Sequence, residues 1–203
     1  MLRPSECVGC RTFPCTDVEH SRYTVPDIAI DPATVRIILI SEAAPAAPAD
    51  GYYTGAGSLF AQTTVEAFQD AGPAVRTSDD VLGLGVYLTT AVKCGKTGYA
   101  IATPAVHECS MILAEELALF PNVRALLLMG DVAIKAINAI AKRAGEPRVI
   151  PAGATYKLRG GVYSFRGMRA FPSYLQAGPS FYIEKSKRKA IAEDIAAALA
   201  LTG

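Results

Sequence analysis

The pattern of hydrophobic and polar positions divides the chain into alternating strands and helices. Continuous β-branched and aliphatic runs are typical of strands buried on both faces, and they lie at 35–40, 84–90 and 123–129. Apolar residues recur at helical spacing in segments that begin at 58, 103 and 131. A fourth strand is predicted near 168–171, followed by an amphipathic helix over 181–201.

This alternation predicts an α/β fold, a three-layer α/β/α domain around a mostly parallel four-stranded sheet. Ligands of such sheets bind at the carboxyl ends of the strands. The loops that follow Ile40, Thr90, Met129 and Phe171 are therefore the places where a functional site is expected.

Length and composition are consistent with one domain over residues 1–203. The chain is 51% hydrophobic, which provides enough apolar side chains for a core. It contains no apolar run of about 18 residues, and its first residues lack the apolar stretch of a secretory signal. We therefore expect a cytoplasmic protein that does not contact membranes, and we expect a monomer.

Positive charge is concentrated in one segment. Residues 157–189 contain eight basic residues against the single acidic residue Glu184, a net charge of +7 in a chain whose total is +1. Such a segment is typical either of a phosphate-binding surface or of a solvated helix face.

Four cysteines form a split pattern of the kind that binds a metal. Cys7 and Cys10 have C-x-x-C spacing, whereas Cys94 and Cys109 follow the second strand and enter the next helix. Four thiolates suit a soft metal centre, which predicts a structural iron–sulfur cluster with structural zinc as the alternative. Unrelated buried thiols are a third interpretation.

The other candidate ligands are not assigned to this centre. Cys15 is interpreted as a spare thiol. The two histidines, His20 and His107, are expected to be surface or capping residues because four thiolates already satisfy a cluster.

The loop after the first strand combines an acidic residue with a glycine-rich approach to a helix. Glu42 would stand where a general base or a cation stabiliser belongs. Gly55 and Gly57 would let backbone amides approach a phosphate at the helix N-terminus. The alternative is that Glu42 is a solvated loop residue and that the glycines only form turns.

Several motifs follow one another in an order that resembles a known family. They are Ser41-Glu42-Ala43-Ala44-Pro45, Tyr53-Thr54-Gly55-Ala56-Gly57, Lys93-Cys94, Leu127-Leu128-Met129-Gly130-Asp131 and Phe171-Pro172-Ser173-Tyr174-Leu175. This order resembles the uracil-DNA glycosylase superfamily, specifically its iron–sulfur branch, family 4. The resemblance extends from Cys7 to the last helix, and the cysteine layout is its most specific part.

The resemblance implies roles for individual residues. It implies that a 4Fe–4S cluster tethers the N-terminal segment, with the ligands Cys7, Cys10, Cys94 and Cys109. It also implies that Glu42 is the catalytic acidic residue and that Tyr53 stacks on a flipped base. Ser173 would contact DNA phosphates, and Leu175 would enter the vacated base stack.

Two positions depart from the family pattern. Thr90 stands where the family has the asparagine that reads uracil, and Phe171 stands where it has a histidine that stabilises the leaving base. A hydroxyl offers fewer contacts than an amide, and loss of one donor to a developing oxyanion costs about 10²–10³ in rate.

The predicted function is therefore a DNA glycosylase that hydrolyses the N-glycosidic bond of a flipped, deaminated or damaged base, without an expectation of uracil specificity. Its partner would be lesion-containing or single-stranded DNA. The alternative is a non-catalytic iron–sulfur protein that binds nucleic acid on the same scaffold.

Overall fold

A computed structural model describes residues 1–55, 57–98 and 100–202. The helices are α1 (Pro4–Cys7), α2 (Leu59–Asp70), α3 (Ser78–Gly83), α4 (Thr103–Leu117), α5 (Asp131–Arg143), α6 (Thr155–Leu158) and α7 (Lys185–Ala200). The strands are β1 (Val18–Glu19), β2 (Ile37–Ala44), β3 (Val86–Lys96), β4 (Ala125–Met129), β5 (Tyr163–Phe165) and β6 (Met168–Ser173). Within these residues, every helix is too short or too polar to cross a membrane.

The strands form one sheet in the order β1-β3-β2-β4-β6-β5. The four inner strands, β3, β2, β4 and β6, are parallel, as predicted. The prediction of a four-stranded sheet omitted β1 and β5, which pair antiparallel with β3 and β6 at the two edges. Both are only two or three residues long, too short for a periodic pattern to identify them.

Alternate residues of the inner strands support a helical layer on each face of the sheet. Ile38 of β2 belongs to a core cluster that includes Ile137 of α5. The next residue, Leu39, belongs to the opposite cluster with Phe68 of α2 and Ile195 of α7. Because side chains alternate along a strand, continuous apolar runs are what two covered faces require.

Two strands continue beyond their predicted ends. β2 reaches Ala44 and β3 reaches Lys96, so that Glu42 and Cys94 lie in strands rather than in the loops predicted for them. The reason is pairing, because β2 and β3 remain in register through Ala43 and Val92.

The observed helix boundaries agree with the predicted ones better than the strand ends do. After α5, the Gly145 amide donates to the Lys142 carbonyl and the Glu146 amide donates to the Ala141 carbonyl, with Gly145 at a φ of 71°. This is a Schellman ending, which favours glycine. The last helix begins at Lys185 instead of 181, because a 3₁₀ turn, Pro179–Tyr182, precedes it.

The N-terminal segment is attached to the sheet and to α4. β1 pairs with Gly95 and Lys96 at the end of β3. A small cluster of Val8, Val25 and Ile112 packs the segment against α4. These contacts place the first cysteines near those of β3 and α4.

Candidate functional site

All five cysteines line one cavity of about 710 Å³ between the N-terminal segment, β3 and α4. Cys94 and Cys109 are buried on β3 and α4, whereas Cys7 at the end of α1 is exposed. Cys10 and Cys15, in the loop after α1, are half-buried. The structure thus brings the four predicted ligands to one cavity and adds Cys15, which was predicted to be spare.

The loop that carries Cys10 and Cys15 is held by aromatic side chains. The Cys10 amide donates to the Tyr23 hydroxyl over 2.9 Å, and the Phe13 amide donates to Cys10 Sγ over 3.3 Å. The Phe13 ring packs edge-on against His20 and Tyr23. Phe13 adopts a positive φ of 45°, a conformation that is costly for a bulky residue.

His20 belongs to this cavity, contrary to the prediction of a surface or capping residue. Its Nε2 lies 2.7 Å from the Cys15 carbonyl oxygen, and its Nδ1 lies 3.4 Å from Cys94 Sγ. The imidazole therefore connects the loop to β3. No local pattern around His20 indicates this contact, because it depends on the pairing of β1 with β3.

The thiols of this cavity raise one another's pKa. Burial is the largest cause for both Cys94, whose pKa rises to about 12, and Cys15, whose pKa rises to about 11. The neighbouring sulfur of Cys109 raises both pKa values further. Crowded thiols of this kind would ionise readily only beside a cation that offsets their repulsion.

The donor set of the cavity suits a soft metal centre. Cysteine sulfur is the ligand that iron–sulfur clusters take, and structural zinc takes it as well. In the described part of the chain, no three His, Cys, Asp or Glu side chains are arranged to hold one metal ion. The thiols surround the cavity.

Glu42 lies at the carboxyl end of β2 in a second cavity, a cleft of about 320 Å³. Its side chain is 22% exposed, and Lys96 Nζ stands 4.0 Å from its Oε2. The Val132 amide, in the first turn of α5, donates to the carboxylate. Burial raises the pKa of Glu42, nearby Asp131 also raises it, and Lys96 lowers it.

Leu175 lines the same cleft as Glu42, and Phe60 of α2 completes the apolar part of the wall. Leu175 was predicted to enter the vacated base stack; that role stays a prediction, and the structure shows Leu175 in the wall of the cleft that contains Glu42. Phe60 was predicted only as part of the apolar side of its helix.

Tyr53 does not line the Glu42 cleft. Its hydroxyl accepts a hydrogen bond from the Leu88 amide over 2.9 Å, at the edge of the sheet. Together with Gly55 it lines a separate cavity of about 440 Å³ against α2 and α3. The stacking role of Tyr53 stays a prediction. Among the residues that the structure describes, Phe60 is the aromatic side chain that lines the Glu42 cleft.

The two positions that depart from the family pattern present no free polar group to the cleft. The Thr90 hydroxyl, almost fully buried in β3, donates to the Val92 carbonyl over 2.9 Å. Phe171 is half-buried and packs against the core cluster on the α2 and α7 face, with the Arg169 guanidinium 5.0 Å from its ring centre.

Ser173 is fully buried at the end of β6, where its hydroxyl donates to Asp194 of α7. Asp194 is also bound by two nitrogens of Arg159. A phosphate contact by Ser173 would require its hydroxyl to leave this network, so that role stays a prediction.

Backbone amides in the first turn of α2 already donate to side chains of the protein. Ser58 caps the helix by accepting from the Ala61 amide, and the Asp50 carboxylate accepts from the Leu59 amide. Gly55 has a φ of 118°, and it and Gly57 are exposed before the helix, while Ala56 lies outside the described residues. A phosphate at this helix would have to displace Asp50.

A buried ion pair joins β3 to α4. Lys93 on β3 and Glu116 on α4 are bonded to each other with 0% and 1% of their side chains exposed. Tyr87 and Thr89 donate to the other Glu116 oxygen, and Lys93 also donates to the Thr90 carbonyl. The sequence pattern missed this network, because a single lysine in a strand and a single glutamate in a helix resemble surface residues.

Ion pairs neutralise part of the basic segment. Arg159, Arg166 and Arg188 each bind a carboxylate from outside the segment, whereas Lys187 pairs with Glu184 of the segment itself. The charge excess of residues 157–189 is therefore smaller in the folded protein than along the chain.

Comparison with known proteins supports one assignment. The family model described as the Uracil DNA glycosylase superfamily matches residues 29–198. No curated protein matches the chain.

Proposed function

Because the chain belongs to the uracil-DNA glycosylase superfamily, whose members act on DNA, we propose that it is a base-excision glycosylase for a flipped base. The observation that carries this proposal is the position of Glu42. It is an acidic residue at the carboxyl end of a parallel strand, partly exposed in a cleft that it shares with Leu175.

Glu42 would act on the sugar side of the scissile bond. Its carboxylate would activate a water molecule or stabilise an oxocarbenium-like sugar as the N-glycosidic bond breaks. A raised pKa makes a carboxylate a stronger base, and the Val132 amide holds the group in place. Lys96 favours the ionised form that this role requires.

Leu175 would fill the space that the flipped base leaves in the DNA stack. It is half-buried at the margin of the Glu42 cleft, so that both residues would meet the same nucleotide. Backbone amides at Gly55 and Gly57, and the basic residues near the C-terminus, would contact phosphates.

The base itself is proposed to differ from uracil. Thr90 and Phe171 supply no free donor and acceptor pair for a uracil edge and no donor for the leaving base. A base that leaves more readily, such as a deaminated or otherwise damaged purine, needs less help from these positions. Single-stranded DNA would lower the cost of flipping.

The thiol cavity is proposed to hold a 4Fe–4S cluster through Cys7, Cys10, Cys94 and Cys109, with structural zinc as the alternative. The bound group would supply folding free energy by fastening the N-terminal segment to β3 and α4. Its iron and sulfide content, with absorbance at about 400 nm, would identify a cluster. One zinc per chain in a colourless protein would favour the alternative.

A second candidate is a non-catalytic DNA-binding protein on the same scaffold. The observation that favours it is that the Thr90 hydroxyl donates within β3 and that Phe171 packs against the core without a polar group to offer. Such a protein would bind DNA but would release no base.

One experiment separates the two candidates. Purified protein is incubated with single- and double-stranded oligonucleotides that contain uracil, hypoxanthine or xanthine, and abasic sites are detected by alkaline cleavage. Glu42→Gln is the matched control, because a glutamine oxygen can still accept from Val132. Product that disappears in Glu42→Gln supports the glycosylase. DNA binding without product from any lesion supports the binding protein.

A further inference from the structure

The thiol cavity contains one more cysteine than a cluster with four cysteine ligands uses. The additional residue is Cys15, which lines the same cavity as the other four. It is half-buried and packs against the core cluster that contains Cys94 and Cys109. Cys7, in contrast, is exposed at the end of the four-residue helix α1.

Cys15 shares its surroundings with three of the four predicted ligands. Cys10, Cys94 and Cys109 line the same cavity as Cys15. Two of them, Cys94 and Cys109, are in the core cluster against which Cys15 packs.

The backbone at Cys15 is tied to the opposite side of the cavity. Its carbonyl oxygen is bonded to His20 Nε2, and the same ring places Nδ1 beside Cys94 Sγ. Phe13, packed edge-on against His20, supports the ring from the loop side. One imidazole thus holds Cys15 and Cys94 in a common arrangement.

We propose that Cys15 is a reserve ligand of the metal centre, able to replace Cys7 as the fourth thiolate. The inference rests on the proposed centre and extends it. In the exchange, Cys15 would release its thiol proton to water and bind as a thiolate, while Cys7 would leave as a thiolate and take up a proton. A ligand exchange of this kind moves no electrons, so no oxidant or reductant would be needed.

The test is a series of serine variants purified without oxygen. Iron, zinc and acid-labile sulfide per chain are measured for the wild type, Cys7→Ser, Cys15→Ser and the double variant. Cys94→Ser is the control for loss of a ligand without a substitute. We expect both single variants to keep wild-type metal content and the double variant to fall to the level of Cys94→Ser.

Alkylation provides a readout that does not depend on metal analysis. Folded protein is treated with iodoacetamide and its modified cysteines are identified by mass spectrometry. Because burial raises the pKa of Cys15 to about 11, the reaction is followed as a rate at alkaline pH, where more of the thiolate is present. We expect Cys15 to be alkylated slowly in the wild type and to be protected in Cys7→Ser, with protection lost after the metal is removed by a chelator.

Different results would overturn the proposal that Cys15 is a reserve ligand and the proposal that the cavity holds a metal centre. A metal-loaded wild type with Cys7→Ser at the level of Cys94→Ser would overturn the reserve ligand and leave the centre intact. Loss of metal in Cys15→Ser alone, or metal retained in the double variant, would also overturn it. A wild type without iron or zinc would remove the centre and the reserve ligand together.

Discussion

Gly130 faces the carboxyl group of Glu42 so closely that a Cβ atom at position 130 would lie 2.7 Å from Glu42 Oε1. Gly130 also has a φ of 97°, a conformation that residues with a side chain rarely adopt. It stands immediately before α5, whose Val132 amide donates to the same carboxylate. The turn between β4 and α5 therefore sets the position of Glu42, although it is far from Glu42 in sequence.

Gly130→Ala is expected to displace Glu42. The added methyl group would push Oε1 away from its place beside α5, and the positive φ would add strain of about 1–3 kcal/mol. Base release should fall toward the level of Glu42→Gln, together with a lower midpoint of thermal unfolding. Wild-type activity in Gly130→Ala would show that the carboxylate tolerates a different position.

Lys96→Met is expected to shift the pH dependence of the reaction. Glu42 must be ionised to act as a base, so activity is lost as the pH falls through its pKa, which burial raises. Lys96 lowers that pKa, and its removal should move the acid limb of the pH–rate profile to higher pH. Lys135→Met is the graded control, because Lys135 lowers the same pKa less. An unchanged acid limb in Lys96→Met would assign the limb to another group.

Lys93→Met is expected to destabilise the protein strongly. It leaves the Glu116 carboxylate buried without a cation, a change that costs about 3–5 kcal/mol. The double variant Lys93→Met with Glu116→Leu should recover part of this loss, because neither charge then remains. Urea unfolding measures both effects.

A solvent-exposed ion pair serves as the control for the buried pair of Lys93 and Glu116. Lys135 and Asp131 form an ion pair on the surface of α5, with half or more of each side chain in solvent. Lys135→Met should change the free energy of unfolding by about 0.5 kcal/mol or less. Equal effects of the two lysine substitutions would contradict the view that Lys93 and Glu116 are held as a buried charged pair.

Ser173→Ala separates a structural role from a DNA contact. The hydroxyl donates to Asp194 inside the protein, so its removal should lower the free energy of unfolding by about 1–3 kcal/mol. The geometry predicts unchanged DNA affinity at a given salt concentration. A phosphate contact by Ser173, as the family resemblance implies, predicts weaker DNA binding in addition, and a fluorescence anisotropy titration distinguishes the two.

The central strands could be predicted because burial on both faces leaves a continuous run, as in Ile37 to Ile40. The end of α5 could be predicted for a local reason, since Gly145 adopts the left-handed conformation that closes the helix. β1 and β5 could not be predicted, because each is a few residues long and forms only by pairing with a distant strand.

In the candidate site, too, local features could be predicted and contacts between distant residues could not. The cysteine spacing and the acidic residue after the first strand are local features, and they are sufficient to nominate Glu42 and the predicted ligands. The sequence did not indicate that Cys15 and His20 join the same cavity, or that Tyr53 and Glu42 line separate ones. Those relations depend on how loops from different strands pack.

The sequence by itself determined the order of strands and helices, the layering and the chemical types of the candidate residues. These follow from side-chain periodicity and residue chemistry, which act over a few neighbouring positions. Only the tertiary structure decided which residues meet: Glu42 with Gly130, Lys93 with Glu116, and Ser173 with Asp194. Such pairs form because strand order and helix packing bring distant positions together, and local periodicity contains no information about that order.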